Sequence, residues 1–294
     1  AAIARAFISN GLAKDLPLKL YYYGPMFRHE RPQKGRYRQF YQVGIEMLGY
    51  ATWHSDVEAL SLASIFLDKL GLTHRCQLQI NSIGDAESRK LYRQTLVDYF
   101  KKFESELSMD SKERLEKNPL RILDSKDPQD QKIVAGAPKI SSCFTKQAHE
   151  FFHMVQSGLQ SLNIPFVVNE KLVRGLDYYT HTVFEFVTTD LGAQGALLAG
   201  GRYDGMIGSM GGPETPGIGW ASGVDRLAFM LMDNQTNNLF LQGSTQTLTT
   251  NLIVLVAADP LAETLCMKLT HMLRAKGFPA EMSVTGNMGK KLKR

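Results

Sequence analysis

The sequence predicts an α+β protein, and three features of the chain support that prediction. Two strand-like segments, LKLYYYGPMF at residues 18–27 and a second one that ends near Leu48, enclose a basic stretch. Residues 56–71 have the apolar spacing of a helix and end in glycine, and residues 86–160 are charged and mainly helical in pattern. After residue 250, an apolar run followed by a helical pattern is typical of a parallel βα unit.

The other segments complete this order of elements. The chain opens on a helical pattern, and the first strand is predicted to be interrupted at Gly24 and Pro25. Further elements are predicted as strands in RCQLQINSI (75–83), IPFVVNE (164–170) and YYTHTVFEFV (178–187), and as a helix that starts within GVDRLAFMLM (223–232). Residues 233–250 are polar and rich in turn-forming residues, so they are predicted to be a linker.

The composition is that of a globular chain with enough apolar residues for a core. Of its 294 residues, 44% are hydrophobic, which fits one large domain or two ordinary ones. The net charge of +5 fits an anionic partner such as a nucleotide or a nucleic acid. Cys76, Cys143 and Cys266 form no CxxC pair, so neither a zinc knuckle nor a disulfide framework is predicted, and no stretch has the ~20 apolar residues of a membrane span. The helical pattern at Ala1 and the final KKLKR predict a piece of a longer protein.

The basic stretch between the first two strands is the strongest chemical signal that the residues give on their own. Residues 28–38 contain one acidic residue, Glu30. The basic residues in this range are Arg28, Arg31, Lys34, Arg36 and Arg38, with His29 in addition. Pro32 and Gly35 predict a loop or a long hairpin turn. Guanidinium groups match phosphate oxygens in shape, so such a loop above a pocket suits a polyphosphate. The alternative is a solvated basic hairpin.

The strand after this loop has one apolar face and one polar face, because side chains alternate along a strand. Tyr41, Val43, Ile45 and Met47 would face a core. The opposite face carries an aromatic platform, an amide, a glycine gap and a carboxylate, namely Phe40, Gln42, Gly44 and Glu46. That second face has the composition of a pocket wall.

Two other segments match functional patterns more weakly. HEFFH, from His149 to His153, has the HExxH spacing of a zinc protease, but Ala148, Val155 and Leu159 belong to an apolar helical arc that excludes both histidines. No third ligand follows on a helix, so no metal is predicted there. GGRYDGMIGSMGG lacks GK[ST] and lacks a strand-GxGxxG-helix fingerprint, so it is not predicted to be a nucleotide loop.

Three segments resemble motifs of the class II aminoacyl-tRNA synthetases, in the form found in the histidyl-tRNA synthetase family. FRHERPQKGRYRQFYQVGIEMLG at residues 27–49 resembles motif 2, and GIGWASGVDRLAFML at 217–231 resembles motif 3. LVRGLDYYTHTVFEF at 172–186 is similar to the histidine motif of that family, and it is the most specific of the three. They occur in the family's order, and the resemblance covers residues 1 to about 232. It implies an antiparallel sheet flanked by helices.

The resemblance implies how ATP would be bound. Arg28 would bind the α-phosphate and the histidine carboxylate, and Arg174 would act at the α-phosphate as an electrophilic catalyst. Arg36 and Arg226 would hold the terminal phosphates. The adenine would meet Glu30 at its edge and stack on Phe40. Mg²⁺ is expected to accompany ATP.

The resemblance also implies a pocket for the amino acid. Glu46 and Tyr179 would read the two imidazole nitrogens, which is what a site must do to select histidine. Gln42 would meet the polar end of the amino acid, with Tyr178 close by. Gly200 and Gly201 would let the ligand approach the backbone, and Tyr203 would brace the site together with Asp204.

The implied organisation is a class II catalytic domain at residues 1–232, a linker at 233–250 and the start of an α/β anticodon-binding domain at 251–294. The catalytic domain would contain a helical insertion at about 86–160. The expected partners are L-histidine, ATP and the histidine tRNA, without a membrane, and the full-length protein is expected to be a cytoplasmic homodimer. Motif 1 and the loop that binds the histidine amine would lie upstream of Ala1.

Two functions follow from the resemblance. The first is a ligase that activates histidine with ATP and transfers it to tRNA. The second is a non-catalytic, synthetase-like regulatory subunit of histidine biosynthesis, which should lack the phosphate-binding arginines. Arg28, Arg36, Arg174 and Arg226 are all present, so the ligase is favoured. A plain RNA-binding module would explain the charge but not the pair of Glu46 and Tyr179.

Overall fold

A seven-stranded mixed sheet forms the centre of the molecule. The structure is a computed structural model, and it describes residues 2–29, 37–123, 125–172, 178–190, 195–232 and 251–284. In chain order the strands of this sheet are β1 (Leu18–Phe27), β2 (Gln39–Leu48), β3 (Gln77–Ser82), β4 (Val167–Val168), β5 (Thr180–Val187), β6 (Ala196–Arg202) and β7 (Gly217–Gly223). Their spatial order is β1-β2-β7-β6-β5-β3-β4, and all neighbours are antiparallel except β3 and β4.

Helices pack around this sheet, so the prediction of an α+β fold with a helix-flanked antiparallel sheet is confirmed. The helices are α1 (Ala2–Ser9), α2 (Trp53–Lys69), α3 (Ala86–Phe100), α4 (Met109–Lys117), α5 (Pro128–Ala135), α6 (Lys146–Ser161), α7 (Met206–Ser209), α8 (Val224–Met232) and α9 (Pro260–Ala275). Within the described ranges, no helix is long and apolar enough to cross a membrane.

Strand β1 runs without a break through Gly24 and Pro25, so the predicted interruption is wrong. Pro25 pairs with Tyr41 of β2, and the register continues from Leu18 to Phe27. The reason is position in the sheet. Strand β1 lies at the edge of the described sheet, where a residue that cannot donate a hydrogen bond disturbs no second neighbour.

The main core lies between the sheet and the α2–α6 pair. Val57 and Leu60 of α2 and Val155 and Leu159 of α6 are fully buried in the same cluster as strand residues such as Ile80. The predicted apolar arc of α6 is therefore confirmed, and His149 and His153 are exposed on its other side. Helix α6, which lies at the end of the predicted insertion at about 86–160, packs on α2 in the main core, and the bounds of the insertion stay a prediction.

The segment between α3 and the start of α6 has a separate core. Its buried residues are Tyr92, Leu96, Phe100, Leu107, Leu115, Ile122, Ile133, Ile140 and Cys143. Asp130, on α5, is fully buried and accepts hydrogen bonds from Ser108, Ser111 and Ser125. These bonds hold the pKa of Asp130 at about 2 although burial opposes its ionisation. The cluster joins α4 and α5 through buried, fully paired polar groups.

The last described segment is a small βαβ unit. Strands β8 (Ile253–Val256) and β9 (Ala280–Ser283) pair in parallel, with α9 as the crossover. The parallel βα unit predicted after residue 250 is therefore present. It contacts α2 through an ion pair between Arg274 and Glu58, while Ser61 shares a hydrogen bond with His271. Assigning this unit to a separate domain stays a prediction, as do the boundaries at residues 232 and 250.

Candidate active site

A cavity of about 440 Å³ lies against the β1-β2-β7-β6 part of the sheet. Aromatic rings, two arginines and two carboxylates line it. The lining side chains that matter below are Tyr22, Arg28, Phe40, Gln42, Glu46, Tyr178, Tyr179, Tyr203, Asp225 and Arg226, with the backbone of Gly200 among the wall residues. Residues more than 190 positions apart in the chain therefore meet around one space, because β2 and β7 are neighbours in the sheet.

Strand β2 supplies one wall through its alternating side chains. Phe40, Gln42 and Glu46 line the cavity, which is the face expected for them. On the other face Met47 is buried and Val43 packs against the main core. Tyr41 departs from the prediction that it faces a core. It is 41% exposed and stacks on Tyr23 of β1, because the outer end of the hairpin extends past the core.

The gap at Gly44 is filled by the ring of Tyr22. These residues are register partners on β1 and β2. A Cβ atom at position 44 would lie 2.5 Å from Tyr22 Cζ, so only glycine leaves room for the ring to cross the neighbouring strand. Tyr22 thereby reaches the cavity, and sequence analysis did not predict it there. The glycine in the polar face of β2 was the available signal, because a missing side chain leaves space for its cross-strand partner.

Glu46 is the half-buried carboxylate of the cavity. The hydroxyl of Tyr203 donates a hydrogen bond to Glu46 Oε2. Burial raises the pKa of Glu46 to about 7, and the bond from Tyr203 opposes that shift. Glu46 in turn contributes to the raised pKa values of Tyr22 and Tyr203, after desolvation of both phenols. Because the pKa of Glu46 is raised toward neutral pH, a ligand that donates a hydrogen bond to this carboxylate would favour its ionised form.

A consequence for stability follows from the raised pKa of Glu46. The carboxyl of Glu46 holds its proton up to about pH 7 in the folded protein, whereas in the unfolded chain it releases the proton near the ordinary glutamate pKa of 4.5. Stability contributed at this residue is therefore lost as pH rises between those values. At pH 8 the free energy of unfolding of Glu46→Gln is expected to exceed that of the wild type by at most about 3 kcal/mol, so the variant should unfold at a higher urea concentration. At pH 4 the two proteins should have equal stability. Urea titrations at both pH values test this, and an equal difference at both would contradict the raised pKa.

Two tyrosines ahead of β5 form another part of the wall. The rings of Tyr178 and Tyr179 lie 4.7 Å apart, and Tyr178 meets Tyr203 edge-on at 6.3 Å. Tyr179 is only 8% exposed, and its carbonyl accepts a hydrogen bond from Arg89 Nη1 at 2.7 Å. Tyr179 is predicted to contact the ligand, and it lines the cavity as a buried side chain.

Gly200 and Gly201 occupy positions where a side chain would clash, and their predicted approach to a ligand stays a prediction. A Cβ atom on Gly201 would lie 2.9 Å from the ring of Tyr179, and one on Gly200 would clash with the backbone of Gly219 on β7. Protein atoms, not a ligand, thus occupy the space of the missing side chains. Gly200 lines the cavity, whereas Gly201 lies behind Tyr179.

The mouth of the cavity carries the charged residues. Arg28 lies over the ring of Phe40 at 4.1 Å, and its Nε donates a hydrogen bond to the carbonyl of Tyr37 at 2.7 Å. Arg226, on α8, donates to the carbonyl of Ala196. Both guanidinium groups line the same cavity although Arg28 and Arg226 are 198 positions apart in the sequence. Three expected residues, Glu30, Arg36 and Arg174, lie outside the described residues.

One buried arginine near the site was missed by sequence analysis. Arg202, at the end of β6, has no exposed surface and forms an ion pair with Asp56 of α2, which is equally buried. The signal was an arginine that ends the apolar run ALLAGGR, because a charge in a central strand requires a buried partner.

The residues present fit a magnesium ion only through a bound nucleotide. In the described ranges, no three His, Cys, Asp or Glu side chains are grouped as a metal site. Mg²⁺ typically uses one or two carboxylates together with substrate phosphates. Asp225, whose Oδ2 accepts a hydrogen bond from the backbone of Tyr41 at 2.9 Å, is the carboxylate at the mouth. One carboxylate beside two arginines suits that shared mode of binding.

Comparison with known proteins first gives the class. Residues 1–252 match the family described as the tRNA synthetase class II core domain (G, H, P, S and T). The chain therefore contains a class II tRNA synthetase core domain.

Individual relatives then narrow this class. The chain is 51% identical over its full length to histidine–tRNA ligase of Rhodospirillum rubrum, of which it covers 68%. It therefore belongs to the histidine–tRNA ligase family. The crystal structure of apo S. aureus histidyl-tRNA synthetase matches 99% of this chain and 70% of that one, with a TM-score of 0.67 at 30% identity. A structure from Bacillus halodurans described as an ATP phosphoribosyltransferase regulatory subunit/histidyl-tRNA synthetase has a TM-score of 0.54, covers 99% of this chain and 75% of that one, and at 21% identity shows the fold alone.

Proposed function

We propose that this protein activates L-histidine with ATP and transfers it to the histidine tRNA. The observation that carries the proposal is one cavity that is lined both by a half-buried carboxylate, Glu46, and by two arginines, Arg28 and Arg226. A carboxylate suits a cationic or hydrogen-bond-donating side chain, and guanidinium groups suit phosphate. The names of the relatives support the same reaction.

The histidine side of the cavity contains Glu46, Tyr179 and Gln42. Tyr203 occupies one oxygen of Glu46, which leaves the other oxygen to accept a hydrogen bond from an imidazole N–H. Tyr179 would pair with the second ring nitrogen, and Gln42 would bind the polar end of the amino acid. Such a site rejects amino acids without these groups, because its buried polar atoms would then stay unpaired. Tyr22 and Tyr178 would enclose the ring.

The ATP side begins at Arg28, Phe40 and Arg226. The histidine carboxylate attacks the α-phosphorus, the bond from that phosphorus to the bridging oxygen breaks, and pyrophosphate leaves. Arg28, with Arg174 from the adjoining histidine motif, would stabilise charge that develops at the α-phosphate. Arg226 and Arg36 would hold the terminal phosphates, and Glu30 the adenine edge. Arg28 now covers one face of Phe40, so adenine stacking requires the other face or a shift of Arg28.

Mg²⁺ would screen the phosphate charge when ATP is bound, with Asp225 as the nearby carboxylate. We further propose that the full-length protein is a cytoplasmic homodimer and that residues 251–294 begin an anticodon-binding domain. Family membership supports these points. The regulatory-subunit alternative is not favoured, because the relative at 51% identity is a ligase by name and Arg28 and Arg226 line the cavity.

An exchange assay tests the proposal. The full-length protein should incorporate labelled pyrophosphate into ATP when L-histidine is present, because only histidine pairs with both Glu46 and Tyr179. L-Glutamine and L-phenylalanine are the matched controls, and each should give the background rate. A regulatory subunit would bind histidine in calorimetry and show no exchange, and that result would refute the ligase.

A further inference from the structure

Arg202 has the most extensive set of polar contacts near the cavity, although it does not line it. It is the largest fully buried side chain in the described part of the chain. Its guanidinium donates to both carboxylate oxygens of Asp56, to the carbonyls of Tyr50 and Thr52, to Ser55 Oγ and to Asp204 Oδ1. These partners belong to the segment that enters α2 and to the turn after β6. One side chain thus holds these two segments of the chain relative to one another.

Stability alone does not explain this arrangement. The cost of removing two charges from water largely offsets their attraction, and apolar residues of equal volume often stabilise a core as well. What a planar guanidinium adds is direction, because its donors lie in a rigid fork. The turn that Arg202 holds through Asp204 is therefore fixed in orientation as well as packed.

That turn carries Tyr203. Its backbone N–H donates to the carbonyl of Gly217 at 2.7 Å, while Asp204 Oδ1 accepts from the backbone of Gly217 at 3.1 Å and from Arg202 Nη1 at 2.9 Å. Tyr203 is thus flanked by two anchored residues. Its hydroxyl ends on Glu46 Oε2 at the cavity. A chain of direct contacts connects Asp56 and Arg202 to the carboxylate.

We infer that Arg202 and Asp204 form a positioning clamp for histidine recognition: they hold the Tyr203 hydroxyl on one oxygen of Glu46, so that the other oxygen faces the cavity and accepts the imidazole N–H. The inference rests on the proposed role of Glu46. Arg202 and Asp204 are positioning residues, since neither would touch the substrate. Loss of the clamp would let Tyr203 leave Glu46 and let the carboxylate rotate, which weakens binding of histidine and not of ATP.

Asp204→Ala in the full-length protein tests the clamp. It removes the acceptor for Arg202 and Gly217 but leaves the buried pair of Arg202 and Asp56 intact. The KM for histidine in pyrophosphate exchange should rise about tenfold, the low end of the range for a hydrogen bond to a charged group, because Glu46 stays in place and its bond to histidine is only misaligned. The KM for ATP should not change. In a Tyr203→Phe background the same substitution should have no further effect on the histidine KM, because the two act through one hydroxyl.

Asp190→Ala is the matched control. Asp190 is 34% exposed at its side chain against 33% for Asp204, and it pairs with an arginine, Arg75, away from the cavity. Both KM values should stay at wild type in this variant. If Asp204→Ala does not fold, Asp204→Asn can replace it, because asparagine keeps an acceptor oxygen. In that variant the KM for histidine should rise by a smaller factor, again without a change in the KM for ATP.

Three results separate the possible failures. Equal rises in the KM for histidine and for ATP, or independent effects of Asp204→Ala and Tyr203→Phe, would show that the clamp supports the fold only. A histidine KM that rises in Glu46→Gln but not in Asp204→Ala or Asp204→Asn would overturn the clamp and leave the proposed function intact. A histidine KM unchanged in Glu46→Gln would overturn the pocket assignment and the clamp with it.

Discussion

Glu46→Gln is expected to raise the KM for histidine about a hundredfold, the size of losing a buried hydrogen bond to a charged group, while the KM for ATP stays near that of the wild type. The amide can still accept the hydroxyl of Tyr203 through its oxygen. Its NH₂ group then faces the cavity, where it opposes the imidazole N–H donor instead of accepting from it. Pyrophosphate exchange with each substrate varied in turn measures both constants, and calorimetry gives histidine affinity directly.

Glu185→Gln is the control for this substitution. Glu185 lies on β5 of the same sheet but does not line the cavity, so the same loss of charge there should leave both KM values unchanged. If Glu46→Gln raised the KM for ATP as much as the KM for histidine, the assignment of Glu46 to the amino acid pocket would be wrong. The fold would then be intact and the assignment of the two sides of the cavity wrong.

The wall of this pocket could be predicted from the sequence because strand alternation is a local rule. A period of two assigns Phe40, Gln42 and Glu46 to one face as soon as residues 39–47 are extended. The rule fails where the strand leaves its neighbours. Tyr41 has the right face for a core, but its ring stacks on Tyr23 at the outer end of the hairpin and stays 41% exposed.

Tyr22 and Arg202 could not be placed from the sequence because their roles depend on partners far along the chain. Tyr22 reaches the cavity only because β1 and β2 pair in a register that sets it opposite Gly44. Arg202 is buried only because the start of α2 presents Asp56 to the end of β6, 146 residues away. Local patterns show that a glycine or an arginine is unusual at its position, but the pairing of elements decides what fills the gap or balances the charge.

Arg28→Ala is expected to lower kcat for pyrophosphate exchange about 10²–10³-fold, the usual effect of removing one donor from a developing oxyanion. Arg28 lines the cavity, where it contacts the ring of Phe40 and the carbonyl of Tyr37, and we propose that its guanidinium turns from this ring to the α-phosphate when ATP binds. Arg28→Lys should recover little of this loss, because an ammonium group cannot form two parallel hydrogen bonds to phosphate. The kcat of Arg174→Ala should fall by a similar factor, because the family resemblance implies that Arg174 also acts at the α-phosphate.

Arg38→Ala separates this effect from the general charge of the hairpin. Arg38 lies on the same hairpin, where its carbonyl accepts the backbone N–H of Arg28 at 2.9 Å, but its side chain does not line the cavity. If positive charge alone attracts ATP, Arg28→Ala and Arg38→Ala should raise the KM for ATP by similar factors. Added salt should then also raise the KM for ATP of the wild type, because it screens the same charges. If Arg28 acts on the α-phosphate, only Arg28→Ala should lower kcat, because a group that stabilises the transition state affects the rate even when ATP is saturating.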